Sequence, residues 1–456
     1  MTKNMVDVAS SPTLNRKLVG EMDIVVDGYG PFLETKDGRV LFDFAGGPCV
    51  ASLGYSSKII RNAISEQNSE LNYAYSGMHF TDVSLEAGDE VKWQFDQTWP
   101  YWFGKVTFPC SGNEAVEWAC RIAAQYWLEL GRTKTVIAAR DYAFHGTSLL
   151  TSALSDDFGR YEMMFPWYDD ARSAYVLRVP GYPDNNVDDS SILQRTKDLL
   201  FDSIHNGNPV AALIVEPMGG PPVGCTVPSR EYLQGLRDIC DKLHVLLIFD
   251  ELLCGCGRVG VFTVGQYFDV KPDIVILGKG LTSGYVPLSA VVLSQKIVDV
   301  LTKGSGVALV GTTYANHTLG CAAAAASLRF LRESRIISHV KTHGAWLKKI
   351  LNDNLDAVDI VYDIRGLGYL YGIELRDPQG NYFPSNLAVH QQVKEALYNA
   401  GIIVYSKGQT IRINGEFVGD FIVLAPYFLT DTNVLNEQLK KLADVLTNFG
   451  RTISNV

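Results

Sequence analysis

Apolar and polar positions change their spacing along this chain, and the changes mark out its elements. Residues 22–45 alternate around the turn pairs Asp27-Gly28 and Asp37-Gly38, which predicts a small β-meander, and 57–70 shift to the spacing of a helix. From about 76 to 330, short apolar runs alternate with helical patterns. The runs Thr135–Ala139, Pro209–Val215, Val245–Phe249 and Ile274–Leu277 are apolar at consecutive positions, so they are expected to lie in a mostly parallel sheet covered on both faces. Gly320–Phe330 opens a long helix. Beyond it Trp346–Leu355, Leu387–Asn399 and Thr432–Phe449 predict helices around strands at 366–375, 402–405 and 421–425. The expected organisation is an α/β large domain over 76–330 with a seven-stranded sheet, and a small α+β domain built from both termini, 1–75 and 331–456. No repeat or low-complexity linker interrupts it.

Five of these runs end in a group capable of chemistry, at the edge where open α/β sheets bind ligands. Lys279 follows an apolar strand and sits between Gly278 and Gly280, where a buried cation is costly unless something uses it. Its plain alternative is a surface lysine opening a turn. Val245–Phe249 ends in Asp250-Glu251. An isolated aspartate there is commonly a helix N-cap, but glycines at 255, 257 and 260 leave no stable helix to cap. Ser111-Gly112-Asn113 precedes an amphipathic helix, whose first N–H groups and dipole suit a phosphate as well as they suit capping. Asp141–Gly146 offers Phe144 as a flat face with His145 beside it, and Pro209–Val215 ends at Glu216-Pro217. A lysine for a Schiff base, an acid for a pyridine nitrogen, a phosphate cradle and a stacking ring are the parts that pyridoxal phosphate requires.

The order of these motifs resembles the class III (omega-type) aminotransferases of fold type I. Ser111-Gly112-Asn113-Glu114-Ala115, Phe144-His145-Gly146, Glu216-Pro217, Asp250-Glu251 with Gly257-Arg258-Val259-Gly260, Gly278-Lys279-Gly280 and Thr313-Tyr314 occur in that family's sequence. The likeness runs from Asp37–Gly46 and Leu53-Gly54-Tyr55 to Ala425-Pro426. It implies that Lys279 forms the Schiff base with pyridoxal 5'-phosphate and shuttles the proton, and that Asp250 pairs with the pyridine nitrogen. It implies further that Ser111, Gly112 and Asn113 bind phosphate, that Phe144 and Leu252 flank the ring, and that His145 and Glu216 belong to the network around it. Thr313 is expected to reach the phosphate of a second subunit, making the active site a property of a homodimer; pairing into tetramers is left open.

Departures from the family pattern bear on substrate. Phe144 stands where tyrosine is usual, Leu252, Cys254 and Cys256 change the segment after Asp250, and Thr318 follows His317 in place of proline. Pro221 and Pro222 lie near the place where ornithine- and 4-aminobutyrate-type relatives carry a glutamate that gates an arginine, which predicts an apolar side pocket. Arg412 is the nearest candidate for binding a substrate carboxylate, although 411–419 carries extra residues. Cys49 and Trp102 are expected to shape the opposite wall.

Composition narrows the partners. A net charge of −10 with no basic cluster argues against nucleic acid. The start lacks an apolar leader and no eighteen-residue apolar run exists, so neither secretion nor a membrane span is expected. Eight scattered cysteines read as reduced thiols of a cytoplasmic protein, and neither they nor the eight histidines show metal-ligand spacing.

The expected activity is transfer of an amino group from a small-molecule amine or amino acid to an oxo acid or aldehyde. A racemase, epimerase or aminomutase of the same family would use the same Lys279 and Asp250. A non-catalytic α/β metabolite-binding protein is the reading from another class; Gly278–Thr282 is only superficially like a phosphate loop, because Asp273 replaces its first glycine.

Overall fold

The computed structural model describes residues 5–156, 175–182, 188–413 and 415–453. Met1–Asn4, part of the segment read for a leader, and Asn414 in the 411–419 segment lie outside the described residues.

The N-terminal alternation forms strands β1 (Met5–Asp7) and β2 (Glu21–Asp23), paired with each other, then the antiparallel set β3 (Val25–Tyr29), β4 (Phe32–Thr35) and β5 (Val40–Asp43). A helix at Lys58–Glu70 follows, as the spacing predicts, and another at Asp82–Asp96 starts at Thr81, whose side chain and that of Ser84 satisfy each other's backbone N–H groups.

The large sheet contains β6 (Phe103–Thr107), β7 (Val136–Arg140), β8 (Val176–Val179), β9 (Val210–Val215), β10 (Leu246–Asp250), β11 (Ile274–Leu277) and β12 (Ala290–Ser294). Their spatial order is β6-β12-β11-β10-β9-β7-β8, with β12 antiparallel to both neighbours and the other pairs parallel. Burial on both faces explains the unbroken apolar runs. In β10, Leu246 and Ile248 join the core under helix Gly112–Glu129, while Leu247 and Phe249 join the core that includes Leu233 and Leu236 of helix Arg230–Lys242. Each such side chain contributes about 1.5–3 kcal/mol when fully buried, so a charge at Ile248 would break the layer from its centre.

The C-terminal third supplies an antiparallel sheet of β13 (Val361–Leu367), β14 (Leu370–Leu375), β16 (Tyr405–Ile413) and β17 (Glu416–Leu424), ordered β13-β14-β17-β16. Between β14 and β16 in sequence, the short β15 (Ile402–Ile403) pairs parallel with β5 near the N-terminus. Helices Thr318–Glu333, Ile336–Leu355, Val389–Asn399 and Thr432–Ile453 complete this part. No helix among the described residues is long and apolar enough to cross a membrane.

Candidate active site

A cavity of about 860 Å³ gathers the residues that follow the carboxyl ends of β7, β9, β10 and β11: Phe144 and His145, Glu216, Asp250, and Lys279. Asp250 stands opposite Ile276 in the parallel register, so the acid and the lysine arrive from adjacent strand ends. The turn that carries Lys279 is crowded. A Cβ on Gly278 would stand 2.6 Å from Leu252 Cδ2, and Lys279 itself has φ +44°, a left-handed conformation that costs a non-glycine residue on the order of 1 kcal/mol or more. The surrounding packing imposes that conformation and holds the side chain at the cavity wall.

Asp250 is 3% exposed and anchored on both oxygens. Its Oδ2 lies 2.7 Å from His145 Nδ1, and its Oδ1 accepts the Leu252 N–H at 3.1 Å in a local turn. With Nδ1 donating, the imidazole fixes where the carboxylate points; His145 Nε2 is buried without a hydrogen-bond partner among the described residues. Glu216 accepts the Phe144 N–H at 3.3 Å. Burial pushes its carboxyl up to about 7, with Asp250 adding to the rise and His145 and Arg140 opposing it. Glu251, the next residue after Asp250, is also pushed to about 7 by burial, but it serves the fold: Thr263 Oγ1 and the N–H groups of Val264 and Gly265 donate to it.

Also lining this cavity, Ser111 caps helix Gly112–Glu129. Its Oγ accepts the Glu114 N–H at 3.2 Å, while Glu114 Oε2 accepts the Cys110 N–H at 2.8 Å. The first-turn N–H groups of Gly112 and Asn113 therefore lie outside the intrahelical ladder, at the positive end of the dipole. Gly112 also admits close approach, since its Cβ would meet Leu252 Cδ1 at 2.9 Å. The Asn113 side chain is committed elsewhere: its Oδ1 accepts the Thr147 N–H at 3.1 Å and locks the loop after His145 to the helix start.

These features fit a flat anionic aldehyde: an anion cradle, a buried acid, apolar Phe144 and Leu252 in the walls, and an amine, all within the same cavity. The family model for class-III aminotransferases matches residues 18–446. The chain belongs to this family. As a class-III aminotransferase it is a pyridoxal-phosphate-dependent transaminase of fold type I, acting on amine and oxo-acid substrates. An aminotransferase of Bacillus subtilis, YodT, is 27% identical over 453 residues, spanning 96% of this chain and 98% of its own. The β-alanine–pyruvate aminotransferase of Pseudomonas aeruginosa is 28% identical, over 95% of this chain and 92% of its own. The taurine:2-oxoglutarate aminotransferase of Bifidobacterium kashiwanohense, solved with pyridoxal phosphate and glutamate, superposes with a TM-score of 0.82 at 25% identity, over 98% of this chain and 97% of that one.

Three residues read as site residues do not line the aminotransferase cavity. Trp102 stacks on Phe95 with ring centroids 5.0 Å apart, and its Nε1 donates to the Pro272 carbonyl at 2.9 Å, so it belongs to the core. Cys49 is turned inward into the core with Met218 and Cys225, while its neighbours Pro48 and Val50 line the cavity. Arg412 lies near the end of the β16–β17 hairpin, opposite Phe417, and is exposed. The extra residues lengthen the hairpin past a bulge between Gly408 and Ile411 and carry the guanidinium away from the cavity. Thr313 is exposed in its own subunit, where its carbonyl accepts the Tyr73 hydroxyl at 2.9 Å.

Conversely, Arg16, Lys394, Tyr405 and Lys407 do line it and carry no motif that would have singled them out. No group of side chains suited to a metal occurs among the described residues.

Proposed function

We propose that Lys279 is the covalent anchor and proton carrier of this transaminase and Asp250 the acid that sets the cofactor's electronics. Supporting this reading is the convergence of the two on one cavity from adjacent parallel strands, with the helix start at Gly112 lining the same cavity. When bound, pyridoxal phosphate supplies an aldehyde that takes up amines and a ring that absorbs the electron pair left at the substrate carbon. Lys279 Nζ would take the proton from that carbon and return it to the carbon on the far side of the shared nitrogen. Asp250, oriented by His145 Nδ1–H, holds a proton on the ring nitrogen; Ser111, Gly112 and Asn113 bind the phosphate, chiefly through backbone N–H groups. Phe144 and Leu252 hold the ring between them, and Glu216 keeps the polar network beside it satisfied. Thr313 completes the phosphate site of the partner subunit in a homodimer. The division into a domain over 76–330 and one from 1–75 plus 331–456 is supported by the pairing of β5 with β15. Eight unpaired thiols, seven of them buried, suit a cytoplasmic setting.

The test is the half-reaction. Amine alone, with no acceptor, is expected to convert the cofactor stoichiometrically to its amine form, followed by absorbance. Loss of the Cα proton with inversion of the amine and no net conversion would instead mark a racemase.

A further inference from the structure

We propose that Arg365, which does not line the cavity, is a positioning residue: with the Thr410 hydroxyl it fastens the apolar wall at Pro221 and Pro222 and so decides how large a branch the substrate carries. The inference rests on the reading of Lys279 and Asp250 above. Met218, Pro221 and Pro222 line the cavity. They belong to the segment that leaves β9 after Glu216, where Pro221–Val223 form a single 3-10 turn closed by Gly224 at φ +57°. Bonds inside the segment give it shape: the Gly219 N–H donates to the Thr226 carbonyl at 2.8 Å and the Cys225 N–H to the Gly220 carbonyl at 3.1 Å. Two prolines in succession, with φ fixed by their rings, leave the turn little freedom to yield locally. Where the wall stands is therefore set by what holds the turn from behind.

The antiparallel C-terminal sheet holds it at three points. Arg365 on β13 shares its Nε–H between the carbonyls of Val223 and Gly224, at 3.2 and 3.1 Å. Thr410 on β16 donates its hydroxyl to the Pro222 carbonyl. Gly372 on β14, opposite Arg365 in the register, lets the turn lie against the sheet, since a Cβ there would stand 2.1 Å from the Gly224 carbonyl oxygen. A buried guanidinium is costly unless its charge is balanced, and here it is. Arg365 is 4% exposed; its Nη1 lies 2.8 Å from Glu374 Oε2 and donates to Asp363 Oδ2 at 3.0 Å. Glu374, 1% exposed, also accepts from Arg376 Nε at 2.8 Å. In such a network desolvation offsets much of the attraction, so its chief output is a fixed geometry. The geometry delivered is the position of two backbone carbonyls one turn away from the cavity surface. A branch too large for the space in front of Pro221 and Pro222 has to break these ties to enter.

The holoenzyme is tested with alkyl amines whose branch beside the amino group grows one carbon at a time from methyl. Native kcat/KM should fall once the branch meets the wall. Thr410→Val removes one tie and no charge, and Arg365→Met combined with Glu374→Gln removes the other tie together with the charge that balances it. In each, the ratio of kcat/KM for the largest branch to that for methyl should rise about tenfold, the worth of about one methylene in an apolar pocket, and the change should lie in KM. Thr410→Ser, which keeps the hydroxyl, should keep the native ratio. Titration with pyridoxal phosphate and kcat for the methyl-branched amine should stay within about twofold, which a general loosening of the fold would not allow. A ratio unchanged within twofold in Thr410→Val or in the folded double variant, a loss equal for all branches, or a native enzyme indifferent to branch size overturns the proposal. A native enzyme whose cofactor absorbance no amine changes overturns the roles of Lys279 and Asp250 themselves, and this inference with them.

Discussion

Glu216→Gln tests how the protein holds an acid beside its cofactor site. Burial raises this carboxyl from an ordinary 4.5 to about 7, so folding disfavours its charged form. A group whose acid form is favoured in the fold binds more protons there than when unfolded, and stability falls as pH climbs from the unfolded value through the folded one. Linkage between those two values gives a cost of about 1.4 kcal/mol near pH 5.5 and about 3.4 kcal/mol near pH 8.5. Glutamine keeps an oxygen for the Phe144 N–H, bonded at 3.3 Å in the native protein, and has nothing to ionise. The variant should therefore gain about 2 kcal/mol on the native holoenzyme between those pH values, roughly 2 °C in Tm for 456 residues. Paired thermal melts across the range read this difference, in which the other titrating groups, Glu251 among them, cancel. A gap between the two proteins that stays constant, or moves against the variant as pH rises, refutes the reasoning.

Three further outcomes follow from the same geometry. Gly146→Ala places a Cβ 2.1 Å from Asn113 Oδ1 and 2.6 Å from Thr151 Oγ1 at φ +136°, so it should cost about 2–4 kcal/mol and weaken cofactor retention, read by melts and by titration with pyridoxal phosphate. Asp250→Asn retains an oxygen toward His145 but cannot hold the ring nitrogen's proton; the half-reaction with excess amine should slow by on the order of a hundredfold or more while the cofactor stays bound. Arg412→Ala, out on the β16–β17 hairpin, should change kcat/KM with 2-oxoglutarate less than about twofold and stability by within about 0.5 kcal/mol. A larger loss specific to the oxo acid would return Arg412 to the substrate site.

The parts of this protein legible in its sequence are those decided locally. Val245–Phe249 could be read as a central strand because residues buried on both faces are apolar without a break, and the observed strand, Leu246–Asp250, differs by a single residue at each end. The positions of Lys279, Asp250 and Gly112 could be read because each closes or opens such an element. Trp102 could not be placed the same way: whether an aromatic side chain faces a cavity or Phe95 depends on how a helix at Asp82–Asp96 meets the sheet. Arg412 could not be placed for a related reason. Which cation on β16 reaches the cavity is set by hairpin length and by the bulge between Gly408 and Ile411, and neither leaves a mark in residue spacing. Lys394 and Arg16 stay exposed in the fold, and their place at the cavity is set by the packing of the segments that carry them.

The central claim is a bond at one nitrogen, and reduction of the holoenzyme with borohydride followed by proteolysis and mass spectrometry tests it most directly. A single pyridoxyl-modified peptide is expected, with the added mass on Lys279. The same mass found instead on Lys394, Lys407 or any other lysine would contradict it.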